Sequence, residues 1–143
     1  DRLYQELRSE NVRNILPMVA DCANPAPSQG WRGRERQSFA RRGSPELIMC
    51  LALVHHLVIG RQIPLQELIE WLAGFDAELV IEFVDRDDPM VQHLLRHRSG
   101  QDFDYSPATL EVALAEKFAN IKKETLESGN RILYHAKGNR TQS

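Results

Sequence analysis

The 143-residue sequence predicts an α/β domain with a mostly parallel sheet. Two largely apolar runs, at 46–54 and 79–84, have the length expected of strands that are buried on both faces. A segment with apolar residues at helical spacing follows each run, and this alternation is typical of a parallel sheet covered by helices. Two further runs, at 120–127 and 131–137, flank Ser128-Gly129-Asn130 and predict an antiparallel hairpin that finishes the sheet.

The N-terminal third of the chain predicts less regular structure. Leu3, Tyr4 and Leu7 lie one helical turn apart, so residues 2–9 predict an amphipathic helix. Residues 14–20 are mostly apolar and predict a third buried strand that ends at Asp21. The segment 25–45 holds three prolines, three glycines and five arginines against one acid, and it predicts a long basic loop with one helical turn.

Three helices are predicted from their start signals and spacing. Pro64 precedes apolar residues at helical spacing, and Gly74 is placed to close this helix as a C-terminal cap. Asp88-Pro89 and Ser106-Pro107 each supply an N-cap followed by a proline in the first turn. The apolar positions of the three helices are Leu65, Leu68, Ile69 and Leu72; Met90, Val91, Leu94 and Leu95; and Leu110, Ala113, Leu114 and Phe118.

Composition and charge exclude several classes of protein. The chain is 42% hydrophobic and 27% charged, far from the composition of disordered or collagen-like chains. Its 18 basic and 20 acidic residues nearly cancel, so nucleic acid is not an expected partner. The longest apolar run, Leu47–Val54, has eight residues, against about 20 needed to cross a bilayer, so no membrane partner is expected.

The cysteines and the start of the chain bear on its setting. Cys22 and Cys50 lack Cys-x-x-Cys spacing, which fits a reducing cytoplasm better than a disulfide scaffold. The chain begins at Asp1 within an amphipathic pattern, so we expect residues 1–143 to form a single partial domain of a longer protein. The sequence has no Gly-x-Ser-x-Gly motif and no phosphate-binding glycine loop, and neither a hydrolase nor a P-loop protein is expected.

Four residues stand at the ends of predicted strands, where ligands of open α/β sheets bind: Asp21, His55, His56 and Asp85. A histidine titrates near neutral pH and can take a proton from a nucleophile. The alternative for the pair is that one ring packs beneath the next helix against a backbone carbonyl. The alternative for Asp21 is an aspartate that caps the following turn.

Two other groups carry weaker signals. The arginines at 32–42 and the aromatic Trp31 are suited to an anionic substrate, although a solvated loop explains them too. His93 and His97 stand four residues apart on a predicted helix, but no Glu follows His93, and no metal is expected.

Three stretches carry a family resemblance: Met18-Val19-Ala20-Asp21-Cys22, Leu51-Ala52-Leu53-Val54-His55-His56-Leu57, and Glu82 to Gln92 followed by Asp104-Tyr105-Ser106. The first resembles the third strand and its acid in the class I S-adenosylmethionine-dependent methyltransferases, and the second resembles the fourth strand with its His-His-Leu ending. The third is similar to a bacterial subgroup of that family, some of whose members carry nodulation-related names. The resemblance covers about residues 1–137.

The resemblance implies a Rossmann-like methyltransferase sheet that lacks its first two strands. It also implies S-adenosyl-L-methionine as cofactor and transfer of its methyl group to a small or medium acceptor. It places Asp21 and Cys22 at the adenine ring, Leu51, Ala52 and Leu53 against the adenosyl and methionine parts, and His55 or His56 toward the acceptor. The expected substrate contacts are Trp31, Arg34 and Asp85.

Two parts of the family pattern are missing from the chain: the glycine-rich turn after the first strand and the acid that ends the second. The family's strand order is 3-2-1-4-5-7-6, so strand four would have an unpaired edge. Because an apolar edge is a template for pairing, we expect either that strands three and four pair or that the chain forms a homodimer through them. The fragment alone is expected to be inactive, and a non-catalytic interaction module with the same fold is the alternative function.

Overall fold

The computed structural model describes residues 2–96 and 104–138. The chain divides into two compact units, of which the first reaches Phe39 and the second begins at Ala40. Within the described ranges, no helix is both long and apolar enough to cross a bilayer.

The first unit begins with the predicted helix, α1 (Arg2–Ser9), and none of its side chains is fully buried. The predicted strand at 14–20 is wrong, because this segment has no regular structure. Leu16 and Val19 are 76% and 104% exposed. Pro17 removes a backbone donor from the middle of the run, and no described strand pairs with it, so its apolar residues have no sheet to join.

The basic loop is held by its own backbone. Gln29 and Arg36 form an isolated antiparallel bridge, with N···O distances of 2.9 and 3.1 Å. Two 3₁₀ turns, Trp31–Gly33 and Phe39–Arg41, stand where one helical turn was expected.

The second unit contains a mixed four-stranded sheet in the order β1-β2-β4-β3. The strands are β1 (Leu47–Cys50), β2 (Glu78–Val84), β3 (Phe118–Thr125) and β4 (Arg131–Gly138). β1 and β2 are parallel, whereas β4 is antiparallel to both β2 and β3. The predicted hairpin and the α/β class are confirmed, but the described sheet has a single parallel pair because residues 14–20 add no strand.

The three predicted helices are present as α2 (Leu65–Ala73), α3 (Pro89–Arg96) and α4 (Pro107–Lys117). The Ser106 hydroxyl accepts the Thr109 N–H at 3.1 Å, so the predicted N-cap of α4 is confirmed. Gly74 is the C-cap of α2 but keeps a right-handed φ of −62°, and it is Asp76, at φ 53°, that takes the left-handed conformation.

Two predicted boundaries were wrong. The strand predicted at 46–54 ends at Cys50, and a π-helical turn, His56–Gly60, follows. Phe118, predicted to lie in a helix, opens β3 with an extended backbone. Apolar runs do not mark where backbone conformation changes, since strand, turn and helix all bury the same residue types here.

The core of the second unit is built on β2. Phe83 stacks on Tyr105, with ring centroids 4.5 Å apart, and both are almost fully buried. The Tyr105 hydroxyl donates to the Val84 carbonyl at 2.6 Å, so the buried phenol is satisfied. Burial raises the pKa of Tyr105. This packing fixes the C-terminal half of β2, where the candidate site begins.

Candidate functional site

The candidate site lies where β1 and β2 end. The two strands run parallel, with Cys50 paired to Ile81, so their carboxyl ends meet at the same edge of the sheet. Leu51–Leu53, His55 and His56 follow β1 directly, and Asp85 follows β2. The sequence-based rule therefore brings these residues to one end of the second unit.

Ala52 makes the turn that ends β1. Its φ is 50°, which is a left-handed conformation that alanine rarely adopts. Its backbone N–H donates to Oε2 of Glu82 at 2.7 Å. Glu82 lies on β2 and is only 6% exposed, so a buried carboxylate holds the turn after the neighbouring strand.

Arg131 pairs with that carboxylate. Its Nη1 lies 2.9 Å from Glu82 Oε1, and its Nη2 lies 3.3 Å from Asp88 Oδ2. The register places Arg131 opposite Val84, so it is a diagonal neighbour of Glu82 on the same face of the sheet. The hydrogen bond to Glu82 raises the pKa of Arg131. The guanidinium thus bridges two buried carboxylates.

Asp88 connects this pair to α3 and to the hairpin turn. Its Oδ1 accepts the Met90 N–H at 2.9 Å, which confirms its predicted capping role. Its Oδ2 also accepts from Asn130 Nδ2 at 3.4 Å. Because an ionised carboxylate only accepts, this contact orients the Asn130 amide, and its buried Oδ1 has no hydrogen-bond partner among the described residues.

His55 lies within the same charged surroundings and is 3% exposed. Burial, followed by the neighbouring His56, lowers its pKa to about 4; Arg131 acts in the same direction, and Asp88 and Glu82 oppose it. His55 is therefore neutral at pH 7. Its Nδ1 has no partner in the described part of the chain, so the backbone carbonyl expected in the alternative interpretation does not satisfy that atom.

His56 differs from His55 in exposure. Its ring centroid lies 4.2 Å from that of His55, yet its side chain faces solvent. We call Glu82, Asp88, Asn130, Arg131 and His55 the polar cluster, in which Glu82, Asp88 and His55 are buried and Asn130 and Arg131 are half-buried. The site thus combines the exposed imidazole of His56 with this cluster, which contains the neutral, buried His55.

The other residues expected at the sheet end take simpler roles. Leu51 is 50% exposed and offers an apolar surface there. Asp85 Oδ1 accepts the Asp87 N–H at 3.3 Å, within its own turn.

Asp21, Cys22, Trp31 and Arg34 lie in the first unit. Asp21 Oδ1 accepts the Ala23 N–H at 3.0 Å, which is the turn-capping role given above as the alternative. Cys22 is a free, half-buried cysteine. Trp31 is 80% exposed, and its backbone N–H donates to Glu35 at 3.1 Å. Arg34 is exposed.

Sequence reasoning missed Glu82, Asn130 and Arg131. A signal for Glu82 was available, because a charged residue within an otherwise apolar strand has to be paired if the strand is buried. The partner was not deducible, since it depends on the β2–β4 register.

The predicted helical pair His93 and His97 extends beyond what the structure covers, because His97 lies outside the described residues. Across residues 2–96 and 104–138, no group of three or more His, Cys, Asp or Glu side chains is placed to hold a metal.

Comparison with known proteins gives one informative similarity. The chain is 37% identical over 125 residues to the nodulation protein NoeA of Rhizobium meliloti (strain 1021). The match covers 87% of the chain and 26% of NoeA, so the chain spans about a quarter of the length of this curated relative. No family model and no solved structure matches. The comparison confirms the nodulation-related naming among the relatives of this chain, and the name NoeA states no chemical activity.

Proposed function

We propose that the chain is part of an S-adenosylmethionine-dependent methyltransferase that transfers a methyl group to a small or medium acceptor. The observation that carries this proposal is the order and direction of the strands. In the order β1-β2-β4-β3, β4 alone runs opposite to the other three strands, and this order supports an assignment to strands four, five, seven and six of the methyltransferase sheet.

The residues after β1 fit the adenosyl and methionine parts of the cofactor. Leu51 is half exposed at the ligand end of the sheet, and the turn at Ala52 presents backbone rather than a bulky side chain. Apolar surface with a few fixed polar groups is the usual lining of such pockets. In the proposal Asp21 and Cys22 contact the adenine, as the family resemblance implies, with the Asp21 carboxylate as an acceptor for the adenine amino group.

When bound, the cofactor supplies a methyl group on a positively charged sulfur. The chain's contribution is to orient the acceptor and take its proton. His56 is the base in this scheme because its imidazole is exposed beside the turn. His55, whose pKa is about 4, stays neutral and offers a hydrogen bond from a buried position. Trp31, Arg34 and Asp85 are the proposed acceptor contacts.

From the similarity to NoeA we further propose that the protein to which this chain belongs acts in a nodulation-related process. Its proposed location is the cytoplasm, where S-adenosylmethionine is available to it.

The test is a calorimetric titration of S-adenosylhomocysteine into the full-length natural protein. We expect micromolar binding, about −8 kcal/mol. Leu51→Asp should weaken it at least about tenfold by placing a charge against the adenosyl part, because desolvating an unpaired carboxylate is costly. The matched control is Leu16→Asp, at an exposed position of the first unit, which should bind as the wild type does. Absence of binding heat, with no rise in melting temperature, would contradict the proposal.

A second candidate function, that of an interaction module, is favoured by the edge position of β1 in the described sheet. β1 is an edge strand of the described sheet, and Leu47 and Met49 are 47% and 59% exposed. The strand Leu47–Cys50 has no charged residue, so two copies can pair antiparallel without opposing like charges. We propose a second copy of the chain as the occupant of this edge.

Sedimentation velocity tests that pairing. A homodimer that Met49→Lys converts to a monomer would support it, whereas Met90→Lys, at a similarly exposed methionine on α3, should leave the dimer intact. A monomeric wild type would rule out the second copy.

A further inference from the structure

We infer that Glu82 and Arg131 are a positioning pair: they hold the turn at 51–53 in the conformation that meets the cofactor, without touching the cofactor themselves. This inference rests on the proposed function for the role of the turn. Its structural part, that the pair sets the conformation of Ala52, is independent of which ligand binds.

The turn needs such a support because its backbone is strained at Ala52. Ala52 has a φ of 50°, where a Cβ is disfavoured. Strained backbone of this kind persists only where its surroundings impose it, and it is concentrated at functional sites. The contact that imposes it here is the 2.7 Å hydrogen bond from the Ala52 N–H to Glu82 Oε2. A charged acceptor makes this bond stronger than one between neutral groups.

Glu82 is itself immobilised. β2 is an interior strand, bonded to β1 on one side and to β4 on the other. Both carboxylate oxygens are used, since Oε1 receives Arg131 Nη1 at 2.9 Å while Oε2 receives Ala52. Arg131 is fixed in turn by Asp88, the N-cap of α3. The chain of contacts therefore runs from α3 through Arg131 and Glu82 to the turn after β1.

Stability alone is a poor reason for this arrangement. A buried ion pair rarely stabilises a fold more than well-packed apolar residues would, and the rest of β2 from Leu79 to Val84 is apolar. The one acid in this run lies at the ligand end of the parallel pair and faces the strained turn. A carboxylate at this position can define a backbone conformation, which an apolar side chain cannot do.

The first measurement is the hydrogen-exchange rate of the Ala52 amide in the chain, by NMR, in the wild type and in Glu82→Gln. Glutamine puts an NH2 donor in place of one carboxylate oxygen, and its one acceptor oxygen cannot occupy the positions of both Oε1 and Oε2. The Arg131 guanidinium competes for that oxygen, so exchange at Ala52 should accelerate by about tenfold or more. Glu78→Gln is the matched control, because Glu78 lies at the other end of β2 and pairs with His135 and Lys137. It should leave exchange at Ala52 at the wild-type rate.

The second measurement is the affinity of the full-length natural protein for S-adenosylhomocysteine. Glu82→Gln should raise its Kd about tenfold, and Glu78→Gln should leave it within about twofold. If Glu82→Gln fails to fold, Glu82→Asp replaces it: the charge stays, but the shorter side chain cannot reach both partners, and exchange at Ala52 should still accelerate.

The outcomes separate the two proposals. Unchanged exchange at Ala52 in the folded Glu82 variants would overturn the positioning pair, even if their melting temperatures fell. Faster exchange together with an unchanged Kd would also overturn it, because the turn would then not control the cofactor. Faster exchange in a protein whose wild type binds no S-adenosylhomocysteine would reject the methyltransferase function while supporting the positioning of the turn.

Discussion

The two units of the chain contain similar apolar residues and use them differently. Among the described residues, every fully buried side chain lies at or after Cys50, in the second unit. In the first unit Ile15, Leu16, Met18 and Val19 are each more than half exposed. The difference teaches that an apolar run builds a core only when another element is placed to cover it.

The two units are also stabilised by different kinds of interaction. The second unit pairs each strand with a neighbour and packs α2 against α4. The first unit relies on local backbone bonds, such as Val12 N–H to the Leu7 carbonyl at 2.9 Å and the Gln29–Arg36 bridge. Local bonds define a conformation but remove little apolar surface from water, so substitutions in the two units should have unequal costs.

The sharpest test of this comparison is the same substitution in both units. Leu110→Ala removes a fully buried side chain of α4 and should lower the free energy of unfolding by about 2–5 kcal/mol. Leu16→Ala, at a side chain that is 76% exposed, should change it by less than about 0.5 kcal/mol. Urea unfolding of the chain measures both. Equal costs would mean that Leu16 is covered in solution, and the contrast between the units would then be wrong.

The contrast also explains which parts of the fold could be predicted. α2 was recognisable from its spacing, and α3 and α4 from caps whose side chains bond within three residues. The strand prediction at 14–20 was wrong because an apolar run forms a strand only if another strand pairs with it. Such pairing is not a local property of the sequence. The end of β1 was missed because Ala52 is turned by Glu82, thirty residues further along the chain.

The residues of the candidate site could likewise be predicted only in part. The rule on strand ends placed His55, His56 and Asp85 at one edge of the sheet, since it needs only the direction of the strands. It gave no means of finding Arg131, whose position opposite Val84 is set by the register of β4. That one histidine is buried and the other exposed also depends on the π-helical turn that starts at His56, which no apolar spacing indicated.

The lowered pKa of His55 makes the stability of the second unit depend on pH. The pKa of His55 is lowered from 6.5 to about 4, so between these values the unfolded chain binds a proton that the folded chain does not. The stability contributed by neutral His55 is complete above pH 6.5 and is lost as the pH falls toward 4, by about 3 kcal/mol.

Comparison of variants isolates this contribution from other acid-titrating groups. His55→Gln should remove the His55 part of the acid-side decline in urea unfolding free energy, whereas His56→Gln, at the exposed neighbour, should retain most of it. The groups that face His55 are His56, Asp88, Arg131 and Glu82, and all but His56 are unchanged in both variants. Parallel pH profiles for the wild type and His55→Gln would show that His55 is solvated rather than buried.

The smallest expected effect compares two side chains that cap a backbone turn, one in each unit. Ser106 accepts the Thr109 N–H at the start of α4, a helix that contributes three buried residues to the core, and Ser106→Ala should cost about 1 kcal/mol. Asp21 makes a similar bond to Ala23 at 3.0 Å, but it caps an exposed turn with no buried residue behind it, so Asp21→Ala should cost less than about 0.5 kcal/mol. Chemical denaturation of the two variants measures both costs, and each side chain accepts a backbone N–H two or three residues further along the chain. A larger loss from Asp21→Ala than from Ser106→Ala would show that the first unit carries folding energy that its exposed side chains do not reveal.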